Sequence, residues 1–149
     1  MKTLNLKPIC NLLVVILLAT TASAGAKEIV ARPFKISAHS EMVLDPQTGQ
    51  FTATAWGQGT HIGNAISYAE GIFNPETGEG WSVGSIVTPN GDEIFFEQFG
   101  GIVFTGGTGK FENASGGWIP ETEIVGMMMD DEGMLHIYFI WTGSGTVYY

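Results

Sequence analysis

One cysteine, Cys10, is all the chain has, so no disulfide can form within it and the fold must be held by its core. Basic residues are nearly as scarce: six Lys and Arg stand against 15 Asp and Glu, for a formal charge of −9. That balance excludes nucleic acid as a partner, because binding it depends on clustered basic side chains that displace condensed counterions. The acidic run Asp130-Asp131-Glu132 reads as a solvated loop, since it lacks the alternating spacing and central glycine of a calcium site. His39, His61 and His136 show neither H-x-H nor H-E-x-x-H spacing, and no metal or other cofactor is expected. Helical periodicity of useful length is also missing.

Glycine is plentiful instead, with 21 residues. The densest stretch, "FTGGTGKFENASG" at residues 104–116, invites a phosphate-loop reading that fails in detail. Such a loop needs G-x-x-x-x-G-K-[ST]; Gly109-Lys110 would require glycine at 104 and a hydroxyl at 111, and the chain has Phe104 and Phe111. A dinucleotide fingerprint fails as well, because Gly107-Thr108-Gly109 leads to Glu112 where its last glycine belongs. Gly80-Trp81-Ser82-Val83-Gly84 matches the G-x-S-x-G of α/β-hydrolases, but that elbow joins a strand to a helix on a large parallel sheet. Here a second strand and a hairpin follow, and neither hydrolase nor nucleotide-dependent chemistry is expected.

The first 24 residues read as a secretory signal. Lys2 and Lys7 supply a basic start, residues 9–19 an apolar stretch too short to span a bilayer comfortably, and Ala22-Ser23-Ala24 a small-residue cleavage site. The expectation is a secreted or periplasmic product, residues 25–149, forming one domain without a membrane segment.

Two turns share a pattern, Asp45-Pro-Gln-Thr-Gly49 and Asn74-Pro-Glu-Thr-Gly78. Asp or Asn at the first position can bond the backbone two residues on, Pro presets φ, and Gly takes the left-handed position that restarts a strand. Asn90-Gly91 has the residues favoured in a two-residue hairpin loop. Between the turns, polarity alternates with period two: Phe34, Ile36, Ala38, Met42 and Leu44 share one face, and Leu135, Ile137, Phe139, Trp141, Val147 and Tyr149 another. The class is all-β, and a single antiparallel barrel of about eight strands is expected over an open sandwich, because closure removes exposed edges.

The glycine stretch at residues 104–116 resembles the GGTGxFxxAxG segment of plant dirigent proteins and the related GGSGxFEGAxG segment of allene oxide cyclases. Both families share an eight-stranded, calycin-like barrel. The preceding "GTHIGNAISYAEGIF" and "WSVGSIVTPNGDEIFFEQFGGIVF" are similar to small exported bacterial proteins of that type. The resemblance spans residues 59–117. It implies a scaffold role for Gly106, Gly107, Gly109, Phe111, Ala114 and Gly116, and it implies trimers.

Four side chains are candidates for chemistry. Glu70 and Glu97 lie in apolar strand text, where a carboxylate must face solvent or be paired; pointing into a barrel, they and Tyr68 could polarise a ligand or act as acid and base. His61, in Gly59-Thr-His-Ile-Gly63, is either a site residue or bonded to its own turn. Trp56, Trp81 and Phe96 are candidates to line a cavity for an apolar or aromatic molecule. The leading expectation is a non-catalytic barrel that binds such a molecule. The alternatives are a cyclase, isomerase or coupling-directing protein that holds a reactive intermediate, as the resemblance implies, and a small outer-membrane barrel, suggested by the aromatic C-terminal strand.

Overall fold

The computed structural model describes residues 28–149; the secretory segment read from the sequence lies outside them. The described chain is all-β, a closed barrel of eight antiparallel strands with one extra strand. In chain order these are β1 (Ala31–Leu44), β2 (Gln50–Gly59), β3 (Gly63–Asn74), β4 (Glu79–Val87), β5 (Glu93–Gln98), β6 (Ile102–Gly107), β7 (Ser115–Trp118), β8 (Glu121–Met129) and β9 (Leu135–Tyr148). Neighbours in sequence pair in turn from β1 to β7, β7 pairs with β9, and β9 returns along its full length to β1.

The period-two alternation sets which side chains enter the barrel. Along β2 and β3 every second residue is more buried than its neighbours, and the inward positions in the middle of these strands are small, Ala53, Ala55, Gly57, Ala65, Ser67 and Ala69, with Phe51 and Phe73 beyond them. Other strands contribute bulk. Phe34, Phe104 and Trp118 meet with ring centroids 5.4–5.5 Å apart, and Phe96, 3% exposed, lies over its cross-strand partner Gly84, where a Cβ would stand 2.5 Å from the Phe96 ring. Large residues on some strands thus fill space left by small ones on others, as dense interior packing requires.

One end of the barrel is plugged. After β6 the glycine stretch turns through a short 3-10 segment, Gly109–Phe111, and drives Phe111, 0% exposed, into the core. Its ring packs on Tyr149 at 4.8 Å. Gly106, Gly109 and Gly116 have φ of 141°, 55° and 98°, and Ala114 is buried, so the motif acts here as a turn and packing element. A side chain at Gly107 would strike the Glu93 carbonyl.

The turns obey the expected chemistry with two differences. Asp45 Oδ1 accepts from the Gln47 N–H at 2.8 Å, Asn74 Oδ1 accepts from that of Glu76 at 2.9 Å, and Gly49 and Gly78 take φ of 75° and 73°. The Asn90-Gly91 hairpin is wider than two residues: the Gly91 N–H bonds the Thr88 carbonyl and only Gly91 has positive φ, because Pro89 holds the first turn residue at negative φ. The text after it divides into β5 and β6 at Phe99-Gly100-Gly101, with Gly100 at φ 68°.

At the other end the wall is incomplete. β7 and β8 run along the same edge of β9, β7 against residues 145–148 and β8 against residues 135–142. Ile119-Pro120 interrupts them, and Pro120 has no N–H to offer a ladder. Only β7 pairs onward to β6. Among the described residues β8 has no second neighbour, so no ladder closes the slit between its Thr122 and Ile124 and Gln98 and Gly100 at the β5–β6 turn.

Candidate ligand cavity

Where β8 diverges, the inner faces of β1, β2, β3, β4 and β9 bound a cavity of about 470 Å³. That volume lies in the range that takes a small organic ligand. Its walls are mainly apolar: Leu44 and Met42 from β1, Phe73 from β3, Ile124 and Met127 from β8, and Ile137 and Phe139 from β9. Phe139 and Trp141 stack at 5.5 Å with 17° between their planes. The polar side chains in the wall include Ser82, whose hydroxyl donates to Gln98 Oε1 over a long 3.4 Å, and Thr122. Below the cavity lies a space of about 30 Å³, which shares Ala53, Ala69 and Trp141 with it and adds Trp118, Phe96 and Ser40. Ala53 and Ala69 face the cavity from β2 and β3, and their small side chains leave room there.

The residues singled out from sequence fall on both sides of the wall. Phe96 is inside, lining the inner space, and Trp81 stands at the rim of the cavity, 47% exposed. Trp56 is on the outer surface, 49% exposed. Tyr68, Glu70 and Glu97 also face outward; register pairs Glu70 and Glu97 with Val83 from either side, and the three share a shallow outer groove. The condition for them to address a ligand in the barrel, that they point inward, is not met, because their strand positions have outward parity. His61 belongs to the β2–β3 turn at the plugged end. It has φ 70°, its Nε2 is 3.1 Å from the Pro33 carbonyl, and its own carbonyl accepts from Lys110 Nζ at 2.8 Å. Its side chain is therefore bonded to β1 rather than to its own turn, and it does not line the cavity. Ser82, at the centre of the hydrolase-like pentapeptide, is a buried strand residue bonded to Gln98.

A second polar constellation went unread in the sequence. His136 Nδ1 lies 2.9 Å from Glu41 Oε1 and its Nε2 3.1 Å from Asp130 Oδ2, while the Tyr138 hydroxyl donates to Glu41 at 3.1 Å. The bonds from Glu41 and then Asp130 raise the His136 pKa above its ordinary value. Glu41 is lowered, chiefly by His136; Asp130 is lowered first by the Met134 N–H and then by His136. Asp130 also accepts the Glu132 and Met134 N–H groups of the β8–β9 turn. The cluster ties the β8–β9 hairpin, one wall of the cavity, to β1. It sits on the outer surface, and both imidazole nitrogens are occupied by carboxylates.

No protein-family model matches this chain, and no curated protein or solved structure matches it. Its functional reading therefore rests on its own geometry.

Proposed function

We propose that the chain is an exported barrel that holds one small apolar or aromatic molecule, without cofactor and without reacting with it. The observation that carries this reading is the cavity of about 470 Å³ at the unplugged end, lined mainly by apolar side chains and reached through the slit beside β8. Burying an apolar ligand there removes both its surface and that of Phe139, Ile137 and Leu44 from water, at about 25 cal/mol per Å² of apolar area. The cyclase and coupling-directing alternative draws no support from an interior acid and base, since Glu70, Glu97 and Tyr68 face outward. An outer-membrane barrel is disfavoured by the aromatic, apolar interior around Phe34, Phe104 and Trp118 and by carboxylates on the outer face, the reverse of what a lipid-spanning barrel needs. Trp56, Tyr68 and Phe95 are exposed on that outer face and offer a surface for the association of copies that the resemblance implies.

The test is native mass spectrometry of protein purified from its own host, followed by denaturation and identification of what is released. A stoichiometric apolar or aromatic molecule is expected. Its absence, together with failure of hydrophobic fluorescent probes to bind, would overturn the reading.

A further inference from the structure

Three consecutive methionines, Met127, Met128 and Met129, stand 63%, 53% and 56% exposed on β8. Their thioethers are apolar and would ordinarily be packed; here they meet solvent because β8 has no neighbour beyond β9 among the described residues. Strand parity separates the three. Met127 pairs with Ile137 and Met129 with Leu135, both of which line the cavity. Met128 pairs with His136 on the outer face, and its Sδ lies 3.9 Å from the Tyr138 hydroxyl. Of the three, only Met127 is itself part of the cavity wall. Met42 lines the cavity from β1 but is half-buried, and Met134, also half-buried, lies outside that wall. Among the described methionines, Met127 alone therefore joins an open path from solvent to a place against the ligand.

Resting on the container reading, we propose that Met127 is a site of reversible oxidation by hydrogen peroxide and that its sulfoxide releases the ligand. A lone pair on Sδ attacks one peroxide oxygen, and the O–O bond breaks as the S–O bond forms. The departing hydroxide takes the proton of the transferred hydroxyl and leaves as water, so sulfur gives up two electrons and peroxide accepts them. Oxidation turns an apolar side chain into a polar one. Facing the cavity, the new oxygen would be an acceptor stripped of water by an apolar ligand, which costs free energy unless it is paired. Turned out to solvent, the side chain withdraws the apolar contact it gave. In both positions the ligand is held less tightly. Oxygen added to Met128 or Met129 leaves the wall as it was.

The experiment titrates the apolar, aromatic dye Nile red into protein exposed to hydrogen peroxide for increasing times, while peptide mass spectrometry follows the gain of oxygen at each methionine. Met127 is expected to be oxidised well before Met42, and the affinity for the dye to fall about fivefold in step with it. Treatment with methionine sulfoxide reductases should restore the affinity. In Met127→Leu the dye should bind after peroxide as it binds that variant before; Met128→Leu and Met129→Leu should still lose affinity as the wild type does. The time course on the unmodified protein guards against variants that do not fold. If Met127 carries oxygen and the affinity is unchanged, or if the loss persists in Met127→Leu, the oxidation site is overturned and the container reading stands. If the dye fails to bind the untreated protein, the container reading falls and this inference with it.

Discussion

Ala65 and Ala69 are on the same strand and the same face, yet a leucine at each should have opposite effects. Ala69 borders the cavity of about 470 Å³ as well as the inner space of about 30 Å³, whereas within the barrel Ala65 borders the inner space alone. Ala65 also pairs with Gly57, where a Cβ would stand 2.5 Å from the Ala38 Cβ, so that neighbourhood has no slack. Leucine adds three carbon atoms to alanine. At Ala69, burial at about 0.8 kcal/mol per methylene gives at most about 2.4 kcal/mol, and the open mouth reduces the gain to roughly 1 kcal/mol. At Ala65 the same atoms overpack the interior at a cost of about 1–3 kcal/mol. The two variants should therefore differ by roughly 2–4 kcal/mol, which for a domain of this size is a gap of about 10 °C in Tm, with Ala69→Leu the more stable. Thermal melts followed by circular dichroism measure the gap, and displacement of a hydrophobic fluorescent probe measures occupancy. Ala69→Leu should also weaken probe binding despite its greater stability. Equal destabilisation by the two leucines would refute the reasoning, since it would mean the barrel is as full at the open end as at the plugged end.

The His136 cluster predicts a stability profile with a maximum. The His136 contribution is complete below its unfolded value of 6.5 and is lost as pH rises through its raised folded value. That of Glu41 is complete above its unfolded value of 4.5 and is lost as pH falls through its lowered folded value. The stabilisation should thus peak between these two unfolded values, and His136→Gln should flatten the peak in melts across that interval; an unchanged profile would show that the cluster does not couple β8–β9 to β1. At the plugged end, Phe111→Ala should cost about 3–5 kcal/mol in chemical denaturation, the usual loss for a fully buried aromatic. A loss under about 1 kcal/mol would mean that the glycine stretch does not hold a core plug.

Much of the scaffold was legible from local chemistry. Alternation over residues 34–44 and 135–149 encodes which side chains face inward, because successive strand residues point to opposite faces. The turns at Asp45 and Asn74 encode hairpins because their side chains bond their own backbone, and the glycine stretch encodes a turn because Gly106, Gly109 and Gly116 occupy left-handed conformations. Parity was the weak point for Glu70, Glu97 and Tyr68: alternation relates Tyr68 to Glu70 on β3, but their relation to Glu97 on β5, and which parity faces the core, depend on where β3 and β5 lie in the closed sheet.

Only the tertiary structure decided where the barrel is full and where it is hollow. That difference is a sum of volumes over strands distant in sequence: Phe96 meets Gly84 and Trp118 lies over Gly143, while Ala53 and Ala69 border the open cavity. The pairing of His136 with Glu41, 95 residues away, and the slit left where Pro120 separates β7 from β8 are of the same kind. Local sequence sets conformation through forces that act within a few residues, whereas cavities and cross-strand ion pairs depend on which residues closure of the barrel brings face to face.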